Sequence, residues 1–340
     1  MALKIAFTGT GYIAKIHARA AQAQPDVELV AVVNHRPESM AAFAAEFGIR
    51  RTYDSIEGLL RDGDVDAVVI GTPNYLHAPQ AIAALEAGVH VMVEKPIAMN
   101  ANEAQAIVDA GEKSGARLMV AHCWRFDPEV LWLRQQVASG RLGRIVRTKG
   151  YGVHTNWGPS GWFTRKRYAG GGALADMGIH ALDTARFLLG DPLPVSVYAR
   201  IGTYYREPDE SFDVDDTGIV IVNWDNGATS YFESGWWQPH ADGPEACTRL
   251  YGTLGFGQVF PARLELPDAS AGEVEVVAPG FPEVRDPHCP QSMYDDQMAY
   301  FIDCIRKGLP PVPGGQEGLI NMRVVDAAYQ SSRIGKVIEL

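Results

Sequence analysis

The chain has 340 residues, of which 46% are hydrophobic and 21% charged, and its formal net charge is −11. The composition is that of an ordinary soluble globular protein, and the length suits two domains, which usually run to roughly 100–200 residues each. The negative charge argues against nucleic acid or an anionic membrane as partner, and the longest apolar runs are strand-sized, far short of the about 20 residues a membrane helix needs.

The N-terminus, MALKIAFTGTGY, enters a strand at once and lacks the plan of a signal peptide. LKIAFT (3–8), VELVAVV (27–33), DAVVIG (66–71), VHVMVE (89–94) and ARLMVA (116–121) are rich in Val and Ile and show no polar alternation, so they read as buried strands. Between them lie the helical patterns YIAKIHARAAQA, PESMAAFAAEF and HAPQAIAALEAG. Alternating strands and helices predict a doubly wound parallel sheet, a Rossmann-type α/β domain over 1–122. Four scattered cysteines without CxxC spacing predict reduced thiols and a cytoplasmic protein. His288-Cys289 is too small a ligand set for a structural zinc, and no metal site is predicted.

The first strand ends in TGTGYIA. Gly9, Gly11 and Ala14 have the G-x-G-x-x-A spacing between a strand and a helix, with Tyr12 and Ile13 inside the motif. Gly9 permits the tight turn, Gly11 lets a pyrophosphate approach the backbone, and Ala14 keeps the helix close to the sheet. The free N–H groups of the helix start would then meet the phosphates. The second strand ends in Asn34, His35 and Arg36, with no carboxylate for a ribose 2′-hydroxyl and a cation for a 2′-phosphate. NADP is therefore expected over NAD. The loops GTPNYLHAP (71–79) and VEKPIAMN (93–100) also lie at carboxyl ends of strands, where open α/β sheets bind ligands. They contribute Thr72, Pro73, Asn74, Tyr75 and His77, and Glu94-Lys95-Pro96.

After about Ala121 the pattern changes. PEVLWLRQQVASG is a predicted helix, RIVRTKGYGVHT a strand and Asp176–Leu189 a helix. VSVYARIGTYY, TGIVIVNW and ATSYFESGWW are strands joined by turns such as Asp225-Asn226-Gly227, and two helices close the chain. Residues 123–340 are therefore expected to form an α+β domain with a large, mostly antiparallel open sheet. On the predicted helix Asp176 and His180 stand four residues apart and share one face. Arg125 follows a strand and is expected at the cofactor. The aromatic and amide-rich HTNWGPSGWF (154–163) suits sugar hydroxyls and C–H faces, with Trp162 expected at the nicotinamide and Asn156 at the substrate.

Four segments in this order, GTGYIA, EKP, GGGALADMGIHALD and GLINMRVVDAAYQSSRIGKVIEL, resemble the glucose-fructose oxidoreductase, inositol dehydrogenase and MocA family over nearly the whole length. The resemblance implies a catalytic group of Lys95, Asp176 and His180 and a cis Lys95-Pro96 bond. It implies an NAD(P)-dependent oxidoreductase acting on a secondary hydroxyl of a sugar, sugar derivative or cyclitol, and assembly into homodimers or homotetramers through the second sheet. His180 would exchange the hydroxyl proton, Lys95 would stabilise charge on the same oxygen, and Asp176 would orient substrate hydroxyls. Gly170, Gly171 and Gly172 would clear side chains from the cofactor's path. Cys123-Trp124 departs from relatives that carry Asn nearby, and Asp183 reads as structural. The same fold also hosts dinucleotide-sensing regulators without catalysis and glycosidases that use NAD transiently, and both stay open as alternatives.

Overall fold

The computed structural model describes residues 2–243, 245–268, 273–281 and 290–340. It divides into two compact units, Met1–Cys123 with Pro290–Met322, and Trp124–Cys289 with Arg323–Leu340. His288-Cys289 lies outside the described residues.

The first unit holds β1 (Leu3–Thr8), α1 (Tyr12–Gln22), β2 (Val27–Val33), α2 (Pro37–Phe47), β3 (Arg51–Tyr53), α3 (Ile56–Asp62), β4 (Ala67–Ile70), α4 (His77–Glu86), β5 (His90–Glu94), α5 (Ala101–Ser114) and β6 (Leu118–Ala121). The strands pair in parallel in the order β3-β2-β1-β4-β5-β6. Only the three-residue edge strand β3 was not read from the sequence. β4 and β6 are buried along their whole length, which is why they show no alternation. The strand order reverses between β1 and β4, and the loops starting at Gly9, Gly71 and Lys95 leave the carboxyl ends of β1, β4 and β5. Asn100 caps α5 by accepting from Glu103 N (2.9 Å), and Glu103 returns a carboxylate oxygen to Met99 N (3.1 Å), which fixes the far end of the Lys95 loop.

The single boundary expected at 122 placed residues 290–322 in the second domain, and here the structure differs. Helix packing is the reason. The segment Gln291–Lys307 buries Met293, Tyr294, Met298, Phe301 and Ile302 and lies against α1. Tyr294 sits edge-on to His17 at 5.4 Å, and Gln291 donates to the Ile16 carbonyl (3.2 Å).

In the second unit, α6 (Pro128–Ala138) precedes β7 (Ile145–His154). A four-residue α7 (Lys166–Ala169) and a π-helical turn (Leu174–Gly178) lead into α8 (Ile179–Leu188). β8 (Pro194–Gly202), β9 (Thr217–Trp224), β10 (Thr229–Trp236), β11 (Ala246–Gly252), β12 (Phe256–Val259), β13 (Arg263–Asp268), β14 (Glu273–Val277) and β15 (Ile338–Glu339) complete it. The long helices of the C-terminal region are α9 (Gln291–Lys307) and α10 (Gly315–Ile334), and the boundary between the units falls inside α10. The nine strands run β14-β13-β12-β11-β7-β10-β9-β8-β15, antiparallel except for β7 with β10. β9 shows the two faces: Val220 and Val222 are buried, while Ile219 and Ile221 are 50% and 37% exposed. No helix among the described residues is long and apolar enough to cross a membrane.

One buried carboxylate holds the start of the glycine-led helix. Asp215 accepts from Gly172 N (2.8 Å), Leu174 N (2.9 Å) and the Tyr329 hydroxyl (2.7 Å). Burial pushes its carboxyl pKa up, against the pull of these donors. A Cβ on Gly172 would fall on the Asp215 carbonyl oxygen, and one on Gly171 on the Tyr329 hydroxyl. These glycines are thus required by packing within the unit, which corrects the expectation that they clear a path for the cofactor. Asp215→Ala removes the acceptor of Leu174 N and of the Tyr329 hydroxyl, leaving Gly172 N its 3.3 Å contact to that hydroxyl oxygen, and is expected to lower unfolding free energy by about 3 kcal/mol, read by urea denaturation.

Candidate active site

The glycine turn is built as a phosphate cradle. Gly9 has φ +85°, and a Cβ there would lie 2.5 Å from the Gly71 carbonyl oxygen, so the fold itself demands glycine. Gly11 is different: its φ is −76° and a Cβ would meet nothing within 4 Å. Neither conformation nor packing explains that glycine, whereas a ligand lying on the backbone does. The first N–H groups of α1 follow immediately, with no side-chain cap on them. These features fit a dinucleotide pyrophosphate. Ala14 is 1% exposed and packs against Gly71, while Tyr12 is 74% exposed and Ile13 half-buried at the mouth of the turn.

At the end of β2, Asn34 donates to the Thr10 hydroxyl and accepts from Arg36 N (3.0 Å). The amide thereby fixes the turn that leaves His35 and Arg36 exposed. Thr72 donates to Gln80 (3.1 Å), Pro73 is half-buried, and Asn74 is buried at the head of a 3-10 turn. The Lys95-Pro96 peptide is cis, as expected. Glu94 is 7% exposed: one carboxylate oxygen faces the His17 ring (2.7 Å) and the other accepts from Lys95 N (3.1 Å). Lys95 itself is half-buried.

In the second unit, Asp176 sits within the π-helical turn and His180 in the first turn of α8. The regular α-helix expected to carry both is therefore interrupted by one wider turn. π-turns recur at functional sites because they re-aim side chains without ending a helix. The Trp236 indole N–H donates to Asp176 Oδ2 (3.1 Å). His180 is 7% exposed, and its ring stacks on Trp124 with centroids 4.6 Å apart and planes 22° apart.

Comparison with known proteins places this geometry. The model of an oxidoreductase family with an NAD-binding Rossmann fold matches residues 3–122, and that of the GFO/IDH/MocA C-terminal domain matches residues 130–256. D-glucoside 3-dehydrogenase of Escherichia coli K12 is 31% identical over 99% of this chain and 97% of its own length. The chain belongs to the GFO/IDH/MocA oxidoreductase family. D-xylose 1-dehydrogenase (NADP(+)) 2 of Haloferax volcanii is 32% identical over 92% of each chain. The solved structure of levoglucosan dehydrogenase in complex with NADH superposes with a TM-score of 0.90 at 26% identity, covering 100% of this chain and 99% of that one.

Two residues expected at the cofactor are buried among polar partners of their own unit. Arg125 is 2% exposed, and its guanidinium grips Asp183 with two 2.8 Å bonds and Asp191 with a third. It is a buried cation that pins α8. His77 is 1% exposed, with Nδ1 at the Pro96 carbonyl (2.8 Å) and Nε2 at the Thr72 carbonyl (2.9 Å). Burial lowers its pKa against the pull of both carbonyls. A neutral ring has one N–H, so it donates to one of these carbonyls and only approaches the other. Trp162 is half-buried and stacked on Phe163 (3.8 Å), and Asn156 is exposed. Among the described residues no cluster of His, Cys, Asp or Glu could hold a metal ion.

Sequence reasoning missed His17, whose only signal was a polar residue on the apolar face of α1. It also missed Trp236 and Asp215, which lie far from their partners in the chain. The two glycines of the turn should separate cleanly. Gly11→Val is expected to melt within a few degrees of the parent yet lose about 100-fold in dinucleotide affinity, about 2.8 kcal/mol. Gly9→Val is expected to destabilise the fold itself. Thermal melting with cofactor titration by tryptophan fluorescence checks both.

Proposed function

We propose that the chain oxidises a secondary hydroxyl of a sugar, sugar derivative or cyclitol, with Lys95, Asp176 and His180 as its catalytic residues. One observation carries the catalytic assignment. A nearly buried imidazole, backed by Trp124, follows within one helical segment a carboxylate oriented by Trp236. A dinucleotide sensor needs no such proton-handling pair. Relatives named for glucosides and xylose support the substrate class.

A bound nicotinamide supplies the hydride acceptor. A ring nitrogen of His180 takes the proton of the substrate hydroxyl, a role suited to an imidazole whose unperturbed pKa is about 6.5. The Lys95 ammonium donates a hydrogen bond to the same oxygen and stabilises its developing negative charge. Asp176, fixed on one oxygen by Trp236, orients neighbouring hydroxyls with the other. Trp162 and Asn156 are assigned to the nicotinamide and the substrate.

For the cofactor we favour NADP. β2 ends without a carboxylate that would repel a 2′-phosphate, and Asn34 holds the Arg36 backbone where the guanidinium is solvent-exposed and able to pair with one. The open face of the second sheet, with Ile219 and Ile221 exposed, is the surface we assign to a homodimer or homotetramer. Cys123, Cys247 and Cys304 are buried free thiols, in keeping with a cytoplasmic protein.

Nicotinamide absorbance with NAD⁺ or NADP⁺ against glucosides, aldoses, sugar acids and cyclitols tests the reading. Lys95→Met is expected to lower kcat at least about 100-fold, within the span of a lost acid–base or charge-stabilising group. Turnover surviving that change rules the assignment out, and tight cofactor binding without net turnover favours the glycosidase or sensor. Arg36→Ala is expected to raise KM for NADP⁺ about tenfold, or 1.4 kcal/mol, while leaving NAD⁺ nearly unchanged.

A further inference from the structure

Two buried histidines in the first unit have no place in the chemistry proposed above, yet one meets the Glu94 carboxylate that accepts the Lys95 amide and the other meets the Pro96 carbonyl. His17 lies on α1, two turns beyond the glycine turn, and is completely buried. Its Nε2 meets Glu94 Oε1 at 2.7 Å, while Glu94 Oε2 accepts the N–H of Lys95 at 3.1 Å. An ionised carboxylate only accepts hydrogen bonds, so Nε2 carries the proton in this contact. His77, at the start of α4, reaches the other side of the lysine, with Nδ1 on the Pro96 carbonyl (2.8 Å) and Nε2 on the Thr72 carbonyl (2.9 Å).

We infer that His17 and His77 are positioning residues that clamp the Lys95 backbone from both sides and tie it to the helix that receives the cofactor phosphates. The inference rests on the proposed role of Lys95 and adds how that lysine is aimed. Three physical points support it. A buried carboxylate without donors is costly, so Glu94 is held by both His17 and the Lys95 amide. An exposed loop gains no such fixation from solvent, whereas these bonds are shielded and strong. The link also has a direction. α1 begins at Tyr12, with Gly11 as its N-cap, and carries His17 five residues further on, so ordering of the turn by phosphate is passed through one helix to Glu94 and then to the Lys95 amide.

Alternative roles fit less well. Both histidines are buried, at 0% and 1% exposure, so neither ring faces an open surface. The groups facing them are few: Glu94 and the Tyr294 ring at His17, and two carbonyls at His77, with Glu94 and Lys95 near enough to affect its charge.

The test uses full-length protein with His17→Leu, His17→Gln, His77→Leu and Glu94→Gln. For each, kcat and KM are measured, together with amide hydrogen exchange by mass spectrometry over residues 91–98. The leucine variants are expected to lower kcat about 10- to 100-fold, the scale of a misplaced catalytic group. KM for cofactor should change less than about threefold on the same account, since the phosphate cradle is intact. Exchange at the Lys95 amide should accelerate in the leucine variants. His17→Gln, which keeps an N–H toward Glu94, should recover most of both losses. If a leucine variant fails to fold, Glu94→Gln, close to isosteric, is expected to show the same paired changes at smaller size.

Unchanged kcat with unchanged exchange in folded variants overturns the clamp. A fall in kcat with unchanged exchange also overturns it, because the histidine would then act by another route, and faster exchange at full kcat removes the positioning role. Should the parent protein turn over no panel substrate, the proposed function fails on its own. The exchange data and the rate at which trinitrobenzenesulfonate labels Lys95 in parent and variants then decide the clamp without it.

Discussion

A carboxylate removed from water must find donors, and in this protein that requirement shapes both halves of the chemistry. Glu94 and Asp215 are each more than nine-tenths buried, and each turns to main-chain N–H groups of a segment bearing an assigned catalytic residue. Asp216 repeats the device, accepting the amides of Tyr204, Tyr205 and Arg206 at 2.7–2.9 Å. Leaving such a group unpaired costs several kcal/mol, so the loops it holds have little freedom to adopt other conformations. The bonds are also local in effect: each fixes a short stretch of backbone rather than an isolated side chain, and whatever that stretch carries is placed with it.

The scaffold around these anchors is conservative in its physics. Parallel strands buried on both faces deliver three loops to one edge of the first sheet, and short caps such as Asn100–Glu103 end them promptly. In the second unit, the Arg125–Asp183–Asp191 cluster pins α8 from below with a bidentate pair, and Trp124 covers one face of His180. The imidazole is therefore held on one face by an aromatic ring. The π-turn carries Asp176 and interrupts the helix ahead of α8, so this carboxylate is aimed differently from the rest of the helix.

Much of this was legible in the sequence. Buried parallel strands announce themselves as unbroken Val and Ile runs, because side-chain environment follows backbone period directly. The glycine turn was legible for the same reason, since Gly9 and Gly11 answer local demands of conformation and approach. Less legible were β3, too short for any period to show, and β11–β14, where alternation is weak. The C-terminal segment 290–322 was assigned to the wrong neighbour, since an amphipathic helix shows that it has an apolar face but not which surface will cover it.

The sequence by itself determined the order of elements, the dinucleotide turn and the family, and with the family the identity of Lys95, Asp176 and His180 as the residues to watch. Each of these rests on short-range pattern, where neighbours in the chain are neighbours in space. Only the tertiary structure decided that His77 lies between two carbonyls, that Arg125 pairs with Asp183 and Asp191, that Gly171 and Gly172 make room for Tyr329 and Asp215, and that His17 reaches Glu94 across 77 positions of chain. A polar side chain shows in sequence what it can donate or accept. Which partner it meets depends on burial and on contacts between distant segments, and those exist only once the chain has folded.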